Sequence, residues 1–398
     1  MSTKTTYKQT ELGLIPTDWD FDNMGNLSKV NQGLQIPISD RFSEQVENSL
    51  FYITNEFLKE DSKNKYFIKN PPKSVIANKD DVLMTRTGNT GKVVTGVEGA
   101  FHNNFFKIKY DETKLNKDFL VGYLKSPRTQ YSILTLSGNS TIPDLNHSDF
   151  YRIKIPLPPL PEQKKIADCL STWDSAIEKQ SALINALTDR KKALMQQLLT
   201  GKKRLPGFSD EWKEVKLGEI IIDYKEKPND NNNYEILTSS KNGLMKQTDY
   251  YGDNRITNRT DADYNVIPNG FITYRSRSDD GLFTFNLNDL GVIGLISGYY
   301  PVFSFAKSNT QFLLSFLNYF KSKLIKYAIG TSQLVLSINA LKEAKFKLPS
   351  LEEQTAIAEI LATADRELTL QKEKLAQLQT QKKGLMQVLL TGKKRLIN

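Results

Sequence analysis

Leu157–Leu205 reads LPPLPEQKKIADCLSTWDSAIEKQSALINALTDRKKALMQQLLTGKKRL, and Leu348–Leu396 reads LPSLEEQTAIAEILATADRELTLQKEKLAQLQTQKKGLMQVLLTGKKRL. The two stretches align without a gap, about half their positions are identical, and both end in LLTGKKRL, so the chain is a tandem duplication. Weaker echoes lie upstream. Leu14-Ile15-Pro16-Thr17-Asp18-Trp19 resembles the run Leu205-Pro206-Gly207-Phe208-Ser209-Asp210-Glu211-Trp212, and Asp81–Arg86 matches Gly270–Arg275 in hydrophobic pattern. Elsewhere the two larger regions have diverged. The order is a variable domain (1–156), a long helix (157–205), a second variable domain (206–347) and a second long helix (348–398).

Each helix carries an apolar seam with alternating spacings of four and three. In the first copy the seam is Ile166, Leu170, Trp173, Ile177, Gln180, Ile184, Leu187, Lys191, Leu194 and Leu198. In the second it is Ile357, Leu361, Ala364, Leu368, Gln371, Leu375, Leu378, Lys382, Leu385 and Leu389. Gln180 and Gln371, then Lys191 and Lys382, interrupt both seams at matching places. They either fix register or mark a solvent-facing stretch. Glu162 and Glu353 suit the positive helix starts, and Gly201 and Gly392 stand where a C-terminal cap belongs. Each helix is roughly 55–60 Å long at about 1.5 Å per residue. Chain order requires the two helices, if they pair, to run antiparallel with one variable domain at each end, a pseudo-twofold arrangement.

The variable regions read as α+β. Short runs such as Ser74–Ala77, Val82–Met84, Phe105–Ile108, Phe271–Tyr274 and Phe283–Phe285 are predicted strands. The clusters Gly88-Asn89-Thr90-Gly91 and Ser278-Asp279-Asp280-Gly281 are predicted turns. Helices are expected near Asp118–Lys125 and Gln311–Ile329.

Length and composition set the class. The 398 residues suffice for two or three domains, and 39% hydrophobic with 25% charged residues is ordinary for a globular protein. A net charge of +9 suits a polyanionic partner, or a basic surface kept for solubility. The single cysteine, Cys169, cannot form an internal disulfide, and with only His102 and His147 beside it there is no zinc ligand set, so a reducing cytoplasm is expected. No apolar run follows Met1-Ser2-Thr3-Lys4, so no signal peptide is expected. The uncharged-looking stretch Leu290–Ala306 is short and broken by glycines and Pro301, and reads as buried strands rather than a membrane span.

Together these features resemble the specificity subunit of type I restriction-modification systems over essentially the whole chain. The motifs that carry the resemblance are the two copies of Leu-Pro-x-Leu-x-Glu-Gln opening a helix and the two copies of Leu-Met-Gln-x-Leu-Leu-Thr-Gly-Lys-Lys-Arg-Leu closing it. Asp81–Val93 (DVLMTRTGNTGKV) is similar to that family's strand-and-loop signature. The resemblance implies two α/β target-recognition domains separated by two long antiparallel coiled-coil helices, each domain reading one half of a split double-stranded DNA sequence. It implies a chain that is not itself an enzyme and carries no cofactor or metal. Two methyltransferase subunits would dock on the helices and motor-nuclease subunits would join through them, with S-adenosylmethionine, ATP and magnesium used by those partners. A modification-only or type II-like system, or a coiled-coil adaptor without DNA readout, are the competing readings.

Candidate base readers are Arg86, Thr87, Asn89 and Lys92 around one glycine turn, and Arg275, Ser276 and Arg277 at the matching place, each also explicable as ordinary surface. Asn70-Pro71-Pro72-Lys73 lacks the aromatic residue of an adenine-methylating motif and reads as a proline turn. Pro143-Asp144 reads as a turn, and no phosphate-binding glycine loop occurs. Lys202-Lys203-Arg204 and Lys393-Lys394-Arg395 complement the helix dipole, contact phosphate or contact a partner. Trp173, Tyr299, Tyr300 and Phe303 read as core.

Overall fold

The computed structural model describes residues 5–59, 62, 64–138, 143–229, 234–241, 243–251 and 264–396. They form two compact units, residues 1–182 with 372–398 and residues 183–371. Each unit therefore takes one variable domain together with a part of each long helix. The helices themselves span Leu160–Leu199 and Leu351–Leu389 without interruption.

The first unit holds two four-stranded sheets. One runs in the order Ser28–Gln32, Phe105–Tyr110, Val82–Thr85, Val93–Val94, all antiparallel. The other runs Phe67–Lys69, Ser49–Ile53, Gly99–Phe101, Ile76–Ala77, with the central pair parallel. A two-stranded ladder, Asp20–Asn23 with Lys154–Leu157, closes the domain just before the long helix. The second unit repeats this order strand for strand. Its sheets run Ile221–Tyr224, Val302–Phe305, Ile272–Tyr274, Phe285–Leu287 and Gly243–Lys246, Glu235–Ser240, Gly294–Ser297, Tyr264–Ile267, again with a central parallel pair. Its closing ladder pairs Lys213–Lys216 with Lys345–Leu348. Regions whose sequences have diverged thus share one topology.

In each unit the largest apolar cluster joins part of the domain core to the helix pair, and smaller clusters lie within the domain alone. In the first, Trp19, Phe106, Phe119 and Phe150 pack with Ile166 and Leu170 of one helix, with Met386 and Leu389 of the other and with Leu390 just beyond it. In the second, Tyr274, Phe303, Phe312 and Phe316 pack with Leu198 and Leu199 and with Ile357 and Leu361. Burial of each such side chain is worth about 1.5–3 kcal/mol, so neither helix end is separable from its domain.

Cross-helix ion pairs give the sense of the helix pairing within each unit. In the first unit Asp174 meets Lys382 and Glu162 meets Arg395. In the second, Arg190 meets Glu367, Lys191 meets Asp365 and Arg204 meets Glu353. Partner numbers rise on one helix as they fall on the other, which is antiparallel pairing. None of the seam residues is exposed, whereas Leu370, off the seam, is 63% exposed. Lys191 and Lys382 sit at corresponding places and take corresponding partners, Asp365 and Asp174, so these interruptions are cross-pairs and not frayed turns. A heptad seam with a charged position tolerates this arrangement because the long lysine stem packs while its ammonium reaches the neighbour's carboxylate.

Other expectations need adjustment. Phe283 is buried but precedes the strand it was expected to start, which is Phe285–Leu287. The expected helix Gln311–Ile329 divides into an α-helix, Thr310–Tyr319, and a 3-10 segment, Lys321–Tyr327. Leu290–Ala306 supplies the strands Gly294–Ser297 and Val302–Phe305. No helix among the described residues is long and apolar enough to cross a membrane.

Candidate nucleic-acid interface

The repeated motifs build a clasp that frames each domain. Glu162, near the start of the first long helix, accepts from Trp19 Nε1 at 2.9 Å and takes Arg395 Nε and Nη2, both at 2.7 Å. Arg395 also forks onto Asp18, both bonds at 2.8 Å, and lies 5.5 Å from the Trp19 ring centre. Its side chain is only 8% exposed. In the second unit Glu353 takes Arg204 through two 2.7 Å bonds and Trp212 Nε1 at 3.3 Å, with Arg204 5.9 Å from the Trp212 ring centre. A bidentate guanidinium–carboxylate pair fixes both distance and orientation. Asp18 is held below the usual carboxylate range, chiefly by its hydrogen bond from Arg395.

The glutamine beside each glutamate ties in the domain's helix. Gln163 Oε1 accepts from Asn116 N at 2.8 Å, and Asn116 in turn caps the helix Lys117–Leu124. Gln354 Oε1 accepts from Asn309 N at 3.0 Å, and Asn309 caps Thr310–Tyr319. Gly201 and Gly392 adopt φ of 68° and 70° after the helices, and a side chain at Gly392 would meet Pro16 Cδ at 2.4 Å. The arginine of each Lys-Lys-Arg run is therefore internal structure, while its two lysines are exposed.

This frame presents the loop after each central strand Val82–Thr85 and Ile272–Tyr274. Pairing with the neighbouring strand shows a register that the sequence comparison missed by one residue. Val82 faces Ile108 and Ile272 faces Phe303. The next tie agrees, because Leu145 N donates to Arg86 O and Leu336 N donates to Ser276 O. Arg86 thus corresponds to Ser276, and Thr87 to Arg277, rather than Arg86 to Arg275. A strand buried on both faces reads as a continuous apolar run, and such a run does not fix register.

In the first unit the loop is pinned. Arg86 forks onto Asp144 at 3.0 and 2.7 Å, and Asp144 forms an isolated antiparallel bridge with Thr87, so Pro143-Asp144 is a bridging segment and not the expected turn. Asn55 Nδ2 donates to Thr87 O, Thr85 Oγ1 donates to Asn89 O, and Lys92 Nζ donates to Leu58 O. Gly88, Asn89 and Gly91 have positive φ, as a tight loop requires. The four candidates are together on one edge, with Asn89 and Lys92 exposed and Arg86 already engaged. His147, half-buried and edge-on to Phe106, is held below the usual imidazole range by partial burial and then by the Arg86 charge.

The second unit opens instead. Ser276 is 7% exposed and donates to Tyr299 O at 2.7 Å, so its hydroxyl is engaged within the domain. A hydroxyl on a buried strand end has only backbone to bond. Arg275 and Arg277 are exposed, and Arg277 stacks 4.8 Å from the centre of the Tyr299 ring. Tyr299 is itself 66% exposed, not core as expected, because it lies in the turn between the strands Gly294–Ser297 and Val302–Phe305. Two adjoining clefts of about 410 and 700 Å³ share Thr238, Ser239, Tyr251, Arg275, Arg277 and Tyr300. Lys241 pairs with Asp280 at one margin and holds that carboxyl well below its ordinary range. Exposed arginines, hydroxyls and an open aromatic face are what base edges, phosphates and stacked rings require.

Sequence comparison with known proteins matches the family described as type I restriction modification DNA specificity domain at residues 16–189 and again at 209–380. The type I restriction enzyme MjaVIII specificity subunit of Methanocaldococcus jannaschii is 28% identical over 96% of this chain and 95% of its own. Among solved structures, the S subunit of a type I restriction-modification system from M. genitalium superposes with a TM-score of 0.58 at 17% identity, covering 93% of this chain and 96% of that one. A chain from work on complex assembly and conformational transition of the type I R-M system gives 0.59 at 20% identity, covering 96% and 99%. At those identities the structural likeness speaks for the fold. The two tandem matches cover most of the chain and each includes most of a domain and of its following helix, so this protein belongs to the type I restriction modification DNA specificity family.

Proposed function

We propose that the chain is the sequence-reading subunit of a type I restriction-modification complex, each domain recognising one half of a bipartite double-stranded DNA target. The observation that carries this reading is one scaffold built twice, with the clasps kept and the strand-end surfaces changed from a pinned Arg86–Asp144 loop to an open Arg275–Arg277 cleft. Docking surfaces have to stay constant while readout surfaces vary. The long helices, each continuous through both units, then serve as the spacer that turns two short readouts into one long site.

In this reading the chain performs no chemistry. Two methyltransferase subunits dock on it and methylate adenine with S-adenosylmethionine, and motor-nuclease subunits joined through them cleave unmodified DNA with ATP and magnesium in the cytoplasm. A coiled-coil adaptor without DNA readout is not favoured, since both family matches extend over the variable domains.

The test is binding of duplexes by the complex of this chain with its methyltransferase. One split sequence is expected to bind far tighter than the rest, with affinity falling steeply as salt rises. Equal affinity for every duplex contradicts the reading.

A further inference from the structure

We propose that Asp144 is a positioning residue that aims Arg86 at a guanine of the first half-site, with the free edge of the guanidinium making the contact. This rests on the function proposed above and adds which base the first reader takes and what sets its aim.

The pair has a fixed orientation. Arg86 gives Asp144 its Nε and Nη2 hydrogens at 3.0 and 2.7 Å, the side-on fork. That leaves the end-on edge, Nη1 and the second Nη2 hydrogen, with no acceptor among the described residues. Asp144 is itself held through the backbone. It bridges Thr87, its N donates to Ser137 O at 3.3 Å, and Thr90 Oγ1 donates to Pro143 O at 2.6 Å. The Arg86 side chain keeps 20% of its surface open, on the loop edge that also carries the exposed Asn89 and Lys92.

Base identity follows from the chemistry of that edge. Two parallel N–H groups need two acceptors side by side. In the major groove only guanine offers them, as O6 and N7; adenine sets a donor beside its acceptor, and cytosine and thymine present one polar group each. An arginine already fixed by a carboxylate loses less freedom on contact than a loose one.

The second half shows that the scaffold does not need the pair. There the same bridge joins Arg277 to Val335, and Leu336 N donates to Ser276 O as Leu145 N donates to Arg86 O. Ser276 and Val335 therefore stand where Arg86 and Asp144 stand. Both members change together while the backbone tie stays, as a reader and its support would, and as a brace of the fold would not.

The experiment offers the complex of the full chain with its methyltransferase duplexes that carry the target and every single-base change in it. Wild type should prefer guanine at one position of the first half by about tenfold or more. Arg86→Ala should abolish that preference, and Arg86→Lys, which keeps the charge without the planar fork, should weaken it. Asp144→Ala should reduce it by about threefold or more and add nothing in the Arg86→Ala background, a coupling in base preference that a bracing pair would not show. Preference at the second half-site should stay unchanged throughout. Arg86→Ser combined with Asp144→Val installs the pair of the second half, so it tests the assignment even where a single variant unfolds; it should keep the wild-type unfolding midpoint and lose the guanine preference. A first half with no guanine preference, or one that survives Arg86→Ala, overturns the assignment and leaves the proposed function intact. Uniform weakening across all duplexes, with a salt slope lower by about one, assigns Arg86 to phosphate and overturns it too. A guanine preference untouched by Asp144→Ala overturns the role of Asp144. A wild-type complex that binds every duplex alike overturns the proposed function as well.

Discussion

Arg86 and Arg277 lie one residue apart on equivalent positions of the same scaffold, yet they live differently. Arg86 spends its guanidinium on Asp144 and its loop is bonded at Thr85, Thr87 and Lys92. Arg277 rests on an exposed tyrosine at the mouth of an open cleft. The clasps show the opposite behaviour: Trp19–Glu162–Arg395 and Trp212–Glu353–Arg204 are the same device. The contrast separates what must be constant for assembly from what is free to change for recognition.

The clasp should yield the largest effect. Glu162→Ala leaves Trp19 Nε1 without its acceptor and the buried Arg395 with Asp18 alone, and about 3 kcal/mol of stability should be lost in guanidinium denaturation. Glu353→Ala should cost less, since Arg204 is more open to solvent. Equal losses would mean that the two clasps are energetically alike despite the extra Asp18 in the first. Next comes the seam. Leu187→Asp should destabilise by about 2–5 kcal/mol, as truncation of a buried leucine does, the half-buried Leu378→Asp by less, and both should disrupt partner assembly. Unchanged unfolding midpoints and intact assembly in the double variant would show that the seam is not the helix contact.

Readout comes third. Arg277→Ala should leave unfolding unchanged and weaken discrimination at one base pair of the second half-site by about 1–3 kcal/mol in competition binding. Asp144→Ala sharpens the comparison in the first unit. It releases Arg86, so it should alter first-half selectivity, whereas no change there would make the Arg86–Asp144 pair purely structural. The smallest effect belongs to Lys191→Met and Lys382→Met, whose partners are solvent-exposed, and a change within about 1 kcal/mol is expected. Acid should act on the first clasp in a defined direction. The lowered pKa of Asp18 means its contribution is present above the ordinary aspartate range and is lost as pH falls through the folded value, and Asp18→Asn should remove that part of the pH dependence.

The duplication, the helices and their seam were legible in the sequence because a repeat and a heptad rhythm are one-dimensional signals. Gly201 and Gly392 were legible for the same reason. The clasp was visible only in fragments: Glu162, Trp19 and Arg395 are far apart in the chain, and each alone has an ordinary explanation as a helix-start acid, a core aromatic or a helix-end base. The strand-end register was lost because Val82–Thr85 is buried on both faces. Tyr299 was misread as core since exposure of an aromatic in a two-turn apolar stretch depends on where the turn falls. Asp144 gave no signal, because its partner Arg86 lies in another part of the chain.

The central claim is that two dissimilar readers on one repeated frame each specify half of the target. It is tested most directly by replacing residues 206–347 with the corresponding region of a relative and mapping methylated adenines across the host genome. One half of the methylated motif should change while the other half and the spacing stay as they were. A motif that changes in both halves, or in neither, contradicts the account.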